Sequence, residues 1–282
     1  GLGRVAAFNP SQKAERGFLS QSMSVQGLIA RRAADLHLSM PSLIAADARD
    51  PFHVPLPWRG DAIEGPIRVA FTRDDFGFGL HPDVATALDK AASALDNAGY
   101  AVEEVEPPLA YETGKNGYRA LMGEVEALMG EDIRAHGSDD LKTIFENYYT
   151  EYPPFKGNEQ LAMVAKRTHY AREWSMFLED YPLVLTPFMF APFFTAGRDT
   201  EGLDGVREVL GKGLWSFVMN FTGLPAGNIP THIAELPSGP QPIGVQIAGR
   251  RWREDLIVDA MAAIEGEIAP VCTRLWGAGS SL

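Results

Sequence analysis

Residues 67–105 leave the chain little freedom of local topology. Ile67, Val69 and Phe71 alternate as in a half-buried strand. Pro82 stands where a first helical turn tolerates the missing N–H, and Val84, Leu88, Ala91, Leu95 and Ala98 then fall on one stripe. Gly99 occupies the position just past the helix end, where a left-handed residue is wanted, and Val102 and Val105 mark a short following strand. Strand, helix and strand in this order imply a parallel pair joined by a right-handed crossover. The fold expected is one α/β domain spanning 1–282, with a mixed central β-sheet covered by α-helices on both faces.

The rest of the chain supplies the other layers. Residues 1–26 read as loop with one short strand, and Leu28, Ile29, Ala33, Leu36 and Met40 recur at helical spacing until Pro41 kinks or ends the helix. Asp47 to Pro66 is a connecting loop rich in Pro and Asp. Leu109 to Asp180 is helical in pattern, broken near Gly137 and at Pro153-Pro154, with Ser138 as an N-cap and many aromatic residues packed between helices. Leu183-Val184-Leu185 suits a buried strand. Val206 to Phe221 reads as one amphipathic helix ended by Gly223, Ile243 to Ile247 as a strand, and Leu256 to Ile264 as the last helix; a frayed tail is expected from Gly277.

Charge and cysteine usage exclude several functions. The net charge of −12 repels phosphate backbones, which argues against nucleic-acid binding; the local basic cluster Arg250, Arg251 and Arg253 reads as a solvated loop. Cys272 is the single cysteine, so an intrachain disulfide and a cysteine metal site are excluded. No apolar run reaches membrane-spanning length and no signal-peptide pattern opens the chain, so a cytoplasmic protein without a membrane is expected. Gly1 rather than Met is the first residue, which suits a piece of something longer or processed.

Familiar catalytic motifs are missing. There is no G-x-S-x-G elbow and no H-E-x-x-H pair. Gly211-Lys212-Gly213 lacks the Ser or Thr of a P-loop, and Gly77-Phe78-Gly79 carries Pro82 where a dinucleotide fingerprint needs its third glycine. His37, His53, His81, His136, His169 and His232 fall in no metal-ligand pattern, and Asn220-Phe221-Thr222 matches a glycosylation sequon only within an apolar helix end. Two proline-rich segments are more informative. Thr186 to Phe194 is apolar, yet its two prolines forbid a helix interior or a central strand, so it lines a pocket or meets a partner. Thr222 to Pro230 is either a tight buried turn or part of a pocket.

At these segments the sequence resembles the amidase-signature hydrolases. Asn220-Phe221-Thr222-Gly223-Leu224-Pro225-Ala226 with Pro230, Gln241 to Arg250, and Leu185-Thr186-Pro187 are similar to recurrent blocks of that family. So are Gly3-Arg4-Val5, Gly27 to Arg31 with Asp35-Leu36, and Arg49-Asp50-Pro51, all in the family's order. Two departures stand out. Leu28 replaces the family's usual Pro, and no Gly-Gly-Ser sequence carries the nucleophile. Lys13, the earliest lysine, lies downstream of the family's catalytic Lys; Ser20, Ser22 and Ser24 fall in a different block and read as loop serines.

The resemblance implies an amide hydrolase acting through a serine acyl-enzyme, with no metal or organic cofactor. No catalytic residue transfers to this chain, and the nucleophile is expected outside it. Substrate recognition is the role left here: Thr186, Asn220, Gly223, Leu224 and Pro225 from the matched blocks, with Phe188, Phe190, Phe193 and Trp215 as an apolar pocket suited to a hydrophobic or aromatic amide. The partners it leaves open are a small-molecule amide, a second copy of the chain, and the missing N-terminal part. Two alternatives remain: the A component of an amidotransferase, which would want a charged amino-acid pocket, and a degenerate, non-catalytic binding protein.

Overall fold

The computed structural model describes residues 1–7, 15–269 and 271. The expected frayed tail from Gly277, together with Lys13 and Cys272, lies outside them. Among the described residues five strands form one sheet, in the order β2 (Ala101–Glu104), β1 (Arg68–Phe71), β3 (Leu183–Pro187), β5 (Gly239–Gly249), β4 (Ala226–Leu236). The 67–105 unit folds as its sequence requires. β1 (Arg68–Phe71) pairs in parallel with β2 (Ala101–Glu104), and between them runs the helix Pro82–Asn97. Pro82 opens that helix, His81 caps it by accepting from the Asp83 N–H, and Gly99 follows it with φ +89°.

Two short helices precede this unit, α1 (Phe18–Met23) and α2 (Ala33–Leu43); the crossover helix is therefore α3. The short strand expected before Gln26 is absent among the described residues, and α1 stands there instead. Its N-cap is Gly17, which offers no side chain; the carboxylate of Glu124 accepts from the N–H groups of Leu19 at 2.8 Å and Ser20 at 2.9 Å. α2 passes through Pro41 rather than ending there. Pro41 lies in the last turn, where only one ladder bond is lost, and the Ile44 N–H still reaches the Met40 carbonyl at 3.0 Å. Leu28 and Ile29 fall outside that helix and are exposed.

The helical region consists of α4 (Ala110–His136), α5 (Asp139–Glu151) and α6 (Gly157–Asp180). Ser138 caps α5, accepting from the Leu141 N–H at 3.2 Å. After β3 (Leu183–Pro187) the expected single helix over 206–221 is interrupted: α7 (Gly202–Val206) leads into a π turn at Arg207–Gly211, and α8 (Leu214–Thr222) begins after Gly213. The glycines on either side of Lys212 lower helix propensity at one point. A side chain at Gly211 would overlap the Phe78 ring, which packs there at 2.1 Å from an added Cβ. Gly223, at φ +75°, ends α8 as expected.

β4 (Ala226–Leu236) and β5 (Gly239–Gly249) form a hairpin, and α9 (Glu254–Glu267) follows it. β3 is central, parallel to β1 and antiparallel to β5, and it includes Pro187. This corrects the exclusion of proline from a central strand. β1 pairs only as far as Leu185, so Pro187 sits where one flank of the strand is already open. Pro230 is likewise accommodated because β4 is an edge strand, with a register shift between Pro230 and His232.

The sheet is covered on both faces. Val69, Phe71, Leu183, Leu185, Val245 and Ile247 pack with α3 and α9. Ala70, Val184 and Ala248 pack with Trp174 and Leu178 of α6 and with Trp215, Val218 and Met219 of α8. Leu183-Val184-Leu185 is a continuous apolar run because successive side chains enter opposite cores. Each fully buried Leu or Val contributes roughly 1.5–3 kcal/mol. Among the described residues no helix is long and apolar enough to cross a membrane.

Candidate functional site

A cleft of about 680 Å³ opens where several elements end. Phe188 enters it as the chain leaves β3. Ser216, Met219 and Asn220 come from α8, Leu224 and Pro225 from the turn that follows, and Gln246 from β5. The opposite wall is made by Arg4, Val5, Val25 to Ala30 and Trp58, with Glu254, Ile257 and Met261 from α9. Segments 186–194 and 220–230, singled out by their prolines, therefore meet in one cleft.

The α8–turn wall is held in place by two arginines. The Arg167 Nε donates to the Phe221 carbonyl at 2.6 Å, and an Arg251 Nη donates to the Thr222 carbonyl at 2.5 Å. Cations at a helix C-terminus satisfy its free carbonyls and oppose its dipole. Burial is the main cause that pushes the Arg167 guanidinium down to about 10, with nearby Arg251 adding to it, and burial also lowers Arg251. Gly223 lies behind this wall, where a Cβ would come within 3.1 Å of an Arg251 Nη. The basic cluster is thus a loop whose arginines are engaged: Arg250 pairs with Glu179 and Arg253 with Asp255 at 3.0 Å.

Charge within the cleft is largely internal. Arg4, almost wholly buried, donates to the carbonyls of Leu56, Pro57 and Trp58 at 2.7–3.1 Å, and its Nε lies 3.2 Å from a Glu254 carboxylate oxygen. Below the cleft, the Gln246 Nε2 donates to the Thr186 Oγ1 at 3.1 Å, and that hydroxyl donates to the Pro187 carbonyl at 2.9 Å.

Of the residues expected to form the site, Phe188, Asn220, Leu224 and Pro225 line this cleft. Thr186 reaches it only through Gln246. Phe190 and Trp215 do not come to it: both are fully buried in the core between the sheet and α6–α8. Phe190 is turned inward by its backbone, whose N–H donates to the Lys212 carbonyl at 3.0 Å and whose carbonyl accepts from the His81 N–H at 2.8 Å. The Trp215 indole N–H is committed to the Asp74 carbonyl at 2.9 Å. Phe193 is 60% exposed and stacks on Phe194.

Gln246, Met219, Arg4 and Trp58 also line the cleft without having been assigned a site role from sequence, Gln246 and Arg4 standing only within family-like blocks. A signal for Gln246 existed: it is the one strongly polar residue between Val245 and Ile247 in a strand flanked by buried neighbours. Beside the cleft, a recess of about 340 Å³ shares Val25 and Asn220 with it and is lined by Ser20, Met23, Ser24, Leu121, Val125 and Phe217. Ser22 is buried and donates to the Leu19 carbonyl at 3.3 Å. A third groove of about 320 Å³, between α2, β4 and α9, holds none of the expected site residues. Among the described residues no group of three or more His, Cys, Asp or Glu could hold a metal ion.

A family model described as Amidase matches residues 10–258. The chain is 35% identical over 282 aligned residues to an indoleacetamide hydrolase of Bradyrhizobium diazoefficiens, an alignment covering 97% of this chain and 52% of that protein. An indoleacetamide hydrolase of Bradyrhizobium japonicum is 34% identical, over 97% of this chain and 58% of that protein. Thus the chain spans about half the length of the curated relatives it matches. Among solved structures, a bacterial aryl acylamidase of the amidase signature family superposes with a TM-score of 0.68 at 22% identity, covering 99% of this chain and 59% of that one. At that identity the likeness is one of fold.

Proposed function

Because the chain belongs to the amidase family, we propose that it forms the substrate-holding wall of a hydrolase that cleaves the carbon–nitrogen bond of hydrophobic or aromatic carboxamides. The nucleophilic serine and its lysine come, in this reading, from outside these 282 residues, since the sequence has no Gly-Gly-Ser segment. Such chemistry needs an activated nucleophile, donors for the oxyanion and a proton for the leaving amine. What this chain contributes is position and desolvation: Phe188 on one side and Asn220, Leu224 and Pro225 on the other hold the acyl group.

The observation that carries the proposal is the convergence of Phe188 with the Asn220–Pro225 turn on a single cleft. Its charged lining side chains, Arg4 and Glu254, face each other, so these two charges neutralise one another instead of meeting a charged ligand. That favours a hydrophobic amide over the charged amino acid that the A component of an amidotransferase would take. The name of the relatives that align over 97% of the chain, indoleacetamide hydrolases, supports an aromatic acyl group. We read the 282 residues as one amidase-like domain. The required partner is the nucleophile-bearing part, and a second copy of the chain is a further option. A cytoplasmic setting suits the single cysteine.

Ammonia release from phenylacetamide tests the proposal, measured for the chain alone and after addition of a Gly/Ser-rich amidase segment bearing the Ser and Lys. Turnover in the second case only is the expected result, with a fluorophosphonate probe labelling a serine of the added segment. Labelling of Ser20, Ser22 or Ser24 would overturn the outside-nucleophile assignment. Binding of the amide without turnover in either case would favour the non-catalytic alternative.

A further inference from the structure

Gln246 is 2% exposed, and what surface it has lies in the cleft. It stands opposite Thr186 in the β3–β5 register. The Thr186 hydroxyl has one hydrogen, and that hydrogen is committed to the Pro187 carbonyl at 2.9 Å. Toward Gln246 the hydroxyl oxygen can therefore only accept. The side of the Gln246 amide that meets it, at 3.1 Å, must be the NH2 group. The carbonyl oxygen Oε1 then points the other way. Among the described residues no donor engages that oxygen, yet it is not among the sealed, unpartnered polar atoms of the interior.

We propose that Gln246 presents its side-chain carbonyl to the cleft as a fixed hydrogen-bond acceptor, and that this acceptor selects ligands carrying a carboxamide N–H over the corresponding esters. The inference rests on the amide-hydrolase reading and adds a specificity-determining residue to it. An N–H meets the oxygen favourably. An ester offers only acceptors there, and a desolvated carbonyl facing another acceptor is disfavoured. The amide cannot rotate to offer its NH2 at no cost. Rotation would set Oε1 against the Thr186 hydroxyl, which would have to abandon the Pro187 carbonyl to donate. Thr186 thus acts as a positioning residue, holding the polarity of Gln246.

The test compares phenylacetamide with methyl phenylacetate in the catalytically complete protein, and phenylacetamide with N,N-dimethylphenylacetamide in direct calorimetric binding. Gln246→Met is expected to lower the amide-to-ester ratio of kcat/KM, and the primary-to-dimethyl affinity ratio, by about tenfold or more. Thr186→Val should lower both ratios by a smaller factor, and Thr186→Ser, which keeps the hydroxyl, should restore them. Equal losses for both ligands of each pair in Gln246→Met would overturn the inference, as would unchanged ratios in Thr186→Val. If Gln246→Met does not fold, the Thr186 pair decides. Absence of hydrolysis in the parent protein defeats the amide-hydrolase reading alone, because the binding ratio still reports on Gln246.

Discussion

Replacing Phe190 by alanine separates packing from recognition in the proline-rich segment after β3. The Phe190 ring is fully buried and lies 5.5 Å from Phe76 edge-on and 6.3 Å from Phe78 in a stacked arrangement. A Phe→Ala change in a core costs about 3–5 kcal/mol, depending on how far the site collapses. Collapse is restricted here. The backbone of residue 190 is tied on both sides, to Lys212 and to His81, and the neighbouring Trp215 indole is tethered to the Asp74 carbonyl. We therefore expect about 4 kcal/mol, a large fraction of the roughly 5–15 kcal/mol that stabilises a domain. Urea unfolding followed by tryptophan fluorescence should show a lower midpoint with an unchanged slope. Phe188→Ala, at the cleft two residues earlier, should cost at most about 1.5 kcal/mol in stability while reducing aromatic-amide binding roughly tenfold relative to acetamide. A Phe190→Ala loss below about 1.5 kcal/mol, joined to a selective loss of aromatic ligands, would refute the assignment of Phe190 to the core.

Three further outcomes are expected. The Tyr118 hydroxyl is buried, with burial raising its pKa, and has no hydrogen-bond partner among the described residues; Tyr118→Phe should raise unfolding free energy by about 1 kcal/mol, and a clear loss in the same urea titration would contradict this. Gly117 lets α4 approach α8, where an added Cβ would come within 2.6 Å of the buried Phe221 side chain; Gly117→Ala should cost about 1–3 kcal/mol despite alanine's better helix propensity, and a rise in thermal midpoint would refute the contact. The Lys166 ammonium, and then the Tyr170 hydroxyl, hold the Glu112 carboxyl below its usual value, so its stabilisation is fully present above the unfolded pKa of 4.5 and fades as pH falls through the lower folded value. Solvent screening limits this to under about 1 kcal/mol, and the stability difference between the parent and Glu112→Gln should shrink between about pH 6 and about pH 3.

The parts of the fold legible in the sequence are those whose signals are local. Pro82 and Gly99 bracket α3, Ser138 caps α5, and Gly223 stops α8, because each acts on the backbone of its own turn. The helix α1 was illegible for the converse reason. Its cap is Glu124, 105 positions away, and Gly17 leaves room for it: an added Cβ there would lie 2.1 Å from the Glu124 carboxyl carbon. Aromatic residues divided between core and cleft in a way that periodicity does not resolve. Phe188 and Phe190 would share a face in a strand, but β3 ends at Pro187, and beyond it the Lys212 and His81 contacts decide which ring turns inward. The proline-rich segments were readable as special without their destination being readable.

The same division explains the cleft. Its wall, Asn220 to Pro225, is a helix end and a turn, the kind of backbone that orders poorly alone because its terminal carbonyls lack partners. Two of these carbonyls are supplied by cations from α6 and from the loop after β5. Among the described residues no carboxylate pairs with Arg167 or Arg251, and both guanidiniums are lowered by burial. A guanidinium is not deprotonated in a protein under ordinary conditions, so the helix end keeps its positive clamp. The same Arg167 also donates to the Ser22 carbonyl at 3.2 Å, which ties α1 to α8. One guanidinium therefore braces the cleft wall against the recess beside it, and fixes the end of α8 at the start of a segment rich in glycine and proline.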